Sequence, residues 1–445
     1  MDTIAAIATG NQRTAIGIVR ISGNAALAVL DRIFSPAIGK PMSSQPARSM
    51  VYGAALDTQG QVIDRALAVW FAAEHSYTGE PGAEIHCHGS PVVLNEVLSA
   101  AFAAGARQAL AGEFTKRAFL SGKMDLTEAE AVVDLVDAET AEAARNAAGQ
   151  VDGALRRLAD SAYDKLLDIA SRFYAVVDYP DEDIEDASPA QVDETLAAVE
   201  SALSDLLSTY ARGRIVKNGV ATAIIGAPNA GKSSLLNRLV GYDRAIVTDI
   251  PGTTRDTVEE TALVGGVLLR LIDTAGLRET DDTVERLGVE RSRKAIEGAD
   301  LILALTDGSH APTEQDAETL RLARHSGKPY LLVRTKCDLG GSGDGVAVSS
   351  ITGEGFADLE TAVAALFPSL PPQSGTLLTN ARQADAVTRA LASVRAALDA
   401  LRGGMTPDVV LTEVEAASNA LGELSGRTAR EDMVSRIFER FCVGK

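Results

Sequence analysis

Gly226-Ala227-Pro228-Asn229-Ala230-Gly231-Lys232-Ser233 decides how this chain is read. An apolar run at 220–225 precedes it and a helix-forming run follows, the setting a phosphate-binding loop requires. Its glycines let backbone N–H groups close around a polyphosphate, and Lys232 neutralises the β and γ oxygens. The dipole of the following helix favours the anion, and Ser233 reaches magnesium. Asn229, Ala230, Gly231 and Ser234 complete the expected contacts.

Strands and helices alternate on from Gly219 to about Phe367, as in a parallel-sheet α/β domain, with further apolar strands at 301–305 and 330–334. Thr257 to Val264 and Val267 to Ile272 flank Gly265-Gly266, a hairpin signal that predicts one antiparallel edge strand. Asp273-Thr274-Ala275-Gly276 ends that hairpin, where a carboxylate can hold a magnesium-bound water and the Gly276 N–H can sense a γ-phosphate. Thr335-Lys336-Cys337-Asp338 closes another strand. A carboxylate there can accept two hydrogen bonds from guanine N1 and its exocyclic amine, which adenine cannot supply, so Asp338 points to GTP. Ser349-Ser350-Ile351 follows the last strand and could offer a backbone N–H to the guanine oxygen. Between the first two motifs, Thr248-Asp249-Ile250-Pro251-Gly252-Thr253-Thr254-Arg255-Asp256 reads either as a surface loop or as a switch whose hydroxyl meets magnesium and γ-phosphate.

The rest of the 445 residues makes a multidomain chain. Residues 1 to about 120 mix short strands (Ala15 to Ser22, Ala66 to Phe71) with an Ala-rich helix from Val92 to Ala104. Thr127-Glu128-Ala129-Glu130 reads as a capping box opening a helical stretch towards Asp178. An acidic break, Asp178 to Asp183, separates it from a second helical stretch at about 190–213, and 381–401 and 409–424 are helical again. The simplest arrangement is an α/β domain inserted into a helical one.

A formal charge of −19 argues against tight nonspecific binding of nucleic acid, so RNA contact must be local or shared with a partner. The start of the chain lacks a basic signal and no apolar run would span a bilayer, so a cytoplasmic protein with no membrane contact is expected. Three scattered cysteines, Cys87, Cys337 and Cys442, do not read as a disulfide framework. In His86-Cys87-His88, alternate residues point to opposite faces of a strand, so core or turn packing is preferred to zinc.

The four nucleotide motifs in this order resemble the translation-factor-like P-loop GTPases, and Gly252-Thr253-Thr254-Arg255-Asp256 looks like their potassium-activated subgroup. The flanks narrow this. Asp2-Thr3-Ile4, Arg20-Ile21-Ser22-Gly23, Tyr77-Thr78-Gly79-Glu80, Gly112-Glu113-Phe114-Thr115, Arg117-Ala118-Phe119-Leu120 and Phe441-Cys442-Val443-Gly444-Lys445 resemble the tRNA modification GTPase family MnmE, also called TrmE, over essentially the whole chain.

That resemblance implies an α+β tetrahydrofolate-binding and dimerisation domain at 1–120, and a helical domain at 121–214 and 371–445. A Ras-like α/β G domain at 215–370, mostly parallel with one antiparallel strand, is inserted in it. It implies a homodimer that joins an FAD-dependent tRNA-modifying partner of the MnmG/GidA type in a heterotetramer. GTP hydrolysis is then coupled to modification of the tRNA wobble uridine with a one-carbon unit from 5-formyl- or 5,10-methylene-tetrahydrofolate. FAD would enter only through the partner. Leu277 stands where many switch GTPases place a water-orienting Gln, and the resemblance gives that role to Glu285. It assigns magnesium to Ser233 and Thr254, and potassium to Asn229, Thr248, Ile250 and Thr253. Folate falls to Arg20, Glu84, Lys123 and Lys445. Cys442 stays open between a buried small hydrophobe and a chemical role. Thr335 replaces the family's usual Asn, which predicts weaker nucleotide affinity with guanine selectivity kept by Asp338. A ribosome-assembly checkpoint GTPase is the competing reading, but such a protein should carry a basic RNA-binding module that neither end shows.

Overall fold

The structure is a computed structural model that describes residues 2–10, 12–178, 188–242, 260–272, 293–341, 343–367, 375–428, 437–438, 441 and 443–444. Two compact units divide the chain: Met1–Val133, Gln150–Asp205 and Asp385–Lys445 form one, and Asp134–Gly149 with Leu206–Ala384 form the other.

The first unit opens with seven strands: β1 (Ile4–Ile7), β2 (Ile16–Ser22), β3 (Phe34–Pro36), β4 (Val51–Leu56), β5 (Val62–Phe71), β6 (Gly82–His88) and β7 (Arg107–Gln108). They pair in the order β3-β4-β5-β6-β2-β1-β7, antiparallel except for β1 with β7. Two helices, α1 (Ala26–Ile33) and α2 (Pro91–Ala103), cover the face that carries Val19, Ile21, Ile85 and Cys87. Because strand side chains alternate, Arg20, Glu84 and His86 are left on the opposite face. Cys87 is a core residue whose thiol burial pushes up to about 12, in keeping with packing rather than metal binding.

The helical part of the chain begins with α3 (Glu113–Leu120) and α4 (Leu126–Val136), then α5 (Ala141–Val151) and α6 (Ala154–Asp178). The long helical stretch expected from Leu126 is thus three helices, and its cap lies two residues earlier than expected. Glu128 N donates to Asp125 Oδ1 and Asp125 N to Glu128 Oε2, both at 2.8 Å, so the box is Asp125 to Glu128 rather than Thr127 to Glu130. Thr127 instead donates its hydroxyl to Asp125 at 2.7 Å, because it already lies inside the first turn. Further on come α7 (Pro189–Ser208), α8 (Tyr210–Asn218), α12 (Ala381–Arg402) and α13 (Pro407–Ser425). Ion pairs seven residues apart on each helix, Arg402 with Asp193 and Arg395 with Glu200, lace α12 antiparallel to α7. The acidic break at 179–187 lies outside the described residues.

In the second unit the strands are β8 (Val220–Gly226), β9 (Glu260–Val264), β10 (Val267–Leu271), β11 (Leu301–Asp307), β12 (Tyr330–Thr335) and β13 (Val346–Ala347). Their order is β13-β12-β11-β8-β10-β9, all parallel except the β9–β10 hairpin at the edge. Gly265 and Gly266, at φ 58° and 80°, make its two-residue turn, as their sequence predicts. The central strands are buried on both faces, which explains their unbroken apolar runs. Helices α9 (Lys232–Tyr242), α10 (Glu314–His325) and α11 (Phe356–Leu366) pack on this sheet. The same unit takes in 134–149, where Lys217 on α8 pairs with Asp134 at 2.7 Å and Arg212 with Glu142 at 2.9 Å. No helix among the described residues is long and apolar enough to cross a membrane.

Candidate functional site

The eight-residue stretch 226–233 turns the chain from β8 into α9, so the loop sits at the carboxyl end of a central parallel strand. Asn229 and Gly231 take left-handed backbone, at φ 64° and 85°, which converges successive N–H groups as an anion cradle needs. A Cβ on Gly231 would lie 3.3 Å from Thr335 Oγ1, so the position is tight as well as left-handed. Ala230 is buried, Asn229 and Ser234 are exposed, and Gly231, Lys232 and Ser233 lie between those extremes. Lys232 Nζ donates to the carbonyls of Gly226 and Ala227, both at 2.8 Å. Among the described residues no carboxylate pairs with this ammonium, and burial lowers its pKa. Such a cation fits an anionic ligand, which would supply the missing counter-charge.

Thr335 ends β12 and is 2% exposed; its hydroxyl donates to Ala230 O at 2.8 Å and more weakly to Thr306 O at 3.1 Å. The phosphate loop is therefore tied to the sheet by the residue that stands where the family has Asn. Lys336, at φ 55°, is pinned to Asp307 at 2.6 Å. Burial pushes the Asp307 carboxyl up, but hydrogen bonds from Lys336 and Ser309 outweigh it and hold it at about 2. These contacts leave Asp338 exposed on a short turn, Cys337–Leu339, beyond the strand end. Ser349 differs from expectation: it is fully buried, its N–H donates to Glu354 O at 2.9 Å, and its Oγ accepts from Thr352 N at 3.1 Å. Its N–H is committed within the loop, so of the stretch Ser349-Ser350-Ile351 it is not the residue with an N–H to offer a guanine.

A second candidate lies on the open face of the N-terminal sheet. A cavity of about 130 Å³ is lined by Arg20, Ser22, Tyr77, Thr78, Glu84 and Phe114, among others. Antiparallel register sets Arg20 opposite Glu84, and Arg20 Nε donates to Glu84 Oε1 at 2.9 Å. The guanidinium lies 5.6 Å from the Tyr77 ring centre and 5.7 Å from that of Phe114. Tyr77 Oη is 3.0 Å from Thr115 Oγ1, and burial raises its pKa. A paired carboxylate and guanidinium between aromatic rings suit a flat heterocycle that carries adjacent N–H donors, which a pterin does. Lys123 is exposed, donates to Glu74 O at 2.6 Å and stands outside the lining. Sequence reasoning brought Arg20 and Glu84 to this site but missed Tyr77 and Phe114, although both stand in motifs that carry the family resemblance.

The other residues of those motifs hold the fold. Arg117 is 5% exposed and pairs with Glu113 and Glu80 at 2.9 Å and with Asp2 at 2.7 Å. Arg107 also pairs with Glu113, at 2.6 Å. Burial alone would raise the Glu113 carboxyl, but the two guanidiniums and the Leu110 N–H hold it at about 2. Hydrogen bonds from Arg107 and Arg117 likewise lower Asp2 to about 2. At the other end of the chain, Phe438 and Phe441 are buried against Leu126 and Ala129. Val443 bridges Ala111 in antiparallel fashion. Thr248, Ile250, Thr253, Thr254, Asp273, Thr274, Ala275, Gly276, Glu285, Cys442 and Lys445 lie outside the described residues.

Residues 3–123 match the family described as GTP-binding protein TrmE N-terminus, and residues 126–442 the MnmE helical domain. A tRNA modification GTPase MnmE of Roseiflexus castenholzii is 44% identical over 468 residues, covering 100% of this chain and 99% of that protein. One from Streptococcus suis is 41% identical over 454 residues, with the same coverage. Among solved structures, the G domain of the T. maritima FeoB iron transporter is 27% identical, covers 33% of this chain and 97% of that chain, and superposes with a TM-score of 0.25. With both family matches running along the chain and full-length identities above 40%, the chain belongs to the MnmE (TrmE) family of tRNA modification GTPases.

Proposed function

We propose that this GTPase of tRNA modification couples GTP hydrolysis to the attachment of an aminomethyl or carboxymethylaminomethyl group at C5 of the wobble uridine. It would act as a homodimer with an FAD-dependent partner protein, taking the one-carbon unit from a tetrahydrofolate derivative. The observation that carries the reading is the phosphate loop. A half-buried Lys232 is held by two carbonyls with no carboxylate among the described residues, and the loop is latched by Thr335 to the strand that ends beside Asp338. Lys232 and the loop N–H groups would bind the phosphates, and Asp338 would select guanine over adenine.

Magnesium would be held by Ser233 and Thr254, and potassium by Asn229 with Thr248, Ile250 and Thr253. The two ions supply positive charge to the phosphate oxygens when bound. Glu285 orients the attacking water. In the N-terminal cavity, Glu84 would accept the N–H donors of the pterin, Arg20 would brace that carboxylate, and Lys123 and Lys445 would meet the ligand's acidic tail. Cytoplasmic tRNA is the substrate.

The test pairs two assays on purified protein: turnover of GTP against ATP, and equilibrium binding of 5-formyltetrahydrofolate. GTP hydrolysis without ATP hydrolysis, and folate binding that Glu84→Gln abolishes, are expected. Equal turnover of both nucleotides would overturn the first half, and an unaffected Glu84→Gln the second.

A further inference from the structure

Glu84 has a neighbour that the cavity lining does not include. Glu84, His86 and His88 follow one another on the open face of β6, while Ile85 and Cys87 point into the core. The two oxygens of Glu84 are divided: Oε1 accepts from Arg20 Nε at 2.9 Å, and Oε2 lies 3.2 Å from His86 Nε2. A carboxylate oxygen can only accept, so at that distance Nε2 carries its hydrogen. The neighbouring strands carry Arg20 on β2 and Asp64 and Arg65 on β5, and His75 lines the cavity with Glu84. Asp64 is already engaged by His88, through Nδ1 at 2.9 Å and the backbone N–H at 2.8 Å. Cross-strand neighbours of His86 are Ile18 and Leu67, which offer it no polar contact from their side chains. Glu84 is therefore the carboxylate to which His86 is bonded.

We infer that His86 is a positioning residue for the cavity: its ring N–H fixes the second oxygen of Glu84, so that the carboxylate is held in one orientation for ligand N–H groups. The inference rests on the folate reading above and says which residue tunes it. With Oε1 held by Arg20 and Oε2 by His86, the carboxylate keeps its remaining lone pairs for the N–H donors of a ligand and loses less rotamer freedom on binding.

The test uses the full chain, 5-formyltetrahydrofolate as probe, and equilibrium dialysis. His86→Ala removes the donor and should bind roughly tenfold more weakly than wild type, the size expected for losing a charge-assisted hydrogen bond. His86→Gln keeps a donor and should restore most of that affinity, a rescue that a merely structural role would not show. Wild-type affinity in His86→Ala, or no rescue in His86→Gln, with binding lost in Glu84→Gln, would overturn the inference and leave the folate reading intact. Undiminished binding in Glu84→Gln would overturn both.

Discussion

The phosphate loop takes its eight residues from one unbroken stretch, 226–233, whereas the N-terminal cavity draws Arg20, Tyr77, Glu84 and Phe114 from segments up to about 94 residues apart. The loop works mainly through backbone N–H groups and one lysine, so its chemistry depends on spacing alone. The cavity works through side chains that meet only because β2 and β6 pair in the register Arg20 to Glu84. Beside the cavity a network of Asp2, Glu80, Glu113, Arg107 and Arg117, with Glu113 and Arg117 buried at its centre, is given over to the fold. The difference teaches that a local binding loop can lose its chemistry and keep its fold, whereas a cavity assembled across a sheet can lose both together.

The sharpest break in that contrast comes from Lys232→Ala, which should cut GTP turnover by about 10³-fold or more while the unfolding midpoint stays near wild type. A turnover assay and a thermal melt on one sample check both halves. On the cavity side, Arg117→Met leaves the part-buried Glu80 without its cation and the buried Glu113 with Arg107 alone, which should cost about 3 kcal/mol in that unit. Denaturant unfolding followed through Trp70 on β5, whose Nε1 donates to Gln45 O, reads it. A loss below 1 kcal/mol would mean that the network is not what holds this region.

Thr335 sharpens the comparison, since it is where the loop borrows stability from the sheet. Thr335→Val removes the hydroxyl from Ala230 O and should weaken GDP binding about tenfold, whereas Thr335→Asn should strengthen it. Unchanged affinity in both variants, measured by fluorescent nucleotide titration, would show the latch to be idle. A pH-dependent effect is expected at Asp125, where burial pushes the capping carboxyl up to about 6 against hydrogen bonds from Glu128 N and Thr127. Its value in the unfolded chain is near 3.9, so the folded state binds the extra proton. The stabilisation is fully present below about pH 4 and is lost as pH rises through about 6, a change of about 3 kcal/mol at most. Urea midpoints at pH 4.5 and 7 should therefore differ less in Asp125→Asn than in wild type.

What the sequence made legible follows the same division. The loop, the β9–β10 hairpin and the apolar strands were readable because each is specified by neighbours within a few residues. Gly265-Gly266 marks the turn because glycine takes positive φ at both positions without steric cost, here 58° and 80°. The helix cap was misplaced by two residues because both Asp125 and Thr127 begin an acceptable box, and only the observed bonds to Glu128 separate them. The commitment of the Ser349 N–H to Glu354 could not be read either, since a loop's internal bonds have no spacing signature. Tyr77 and Phe114 looked like family marks because nothing local says that two rings will flank Arg20. His86 was legible only as a strand residue, because its bond to Glu84 depends on rotamers rather than on order along the chain.

The most direct test of the account is the initial rate of GTP hydrolysis by the full chain in potassium and in sodium buffers of equal ionic strength. A rate at least about tenfold higher in potassium is predicted, since the monovalent ion proposed for Asn229 would offset charge on the phosphates as hydrolysis proceeds. Equal rates in the two salts would contradict it.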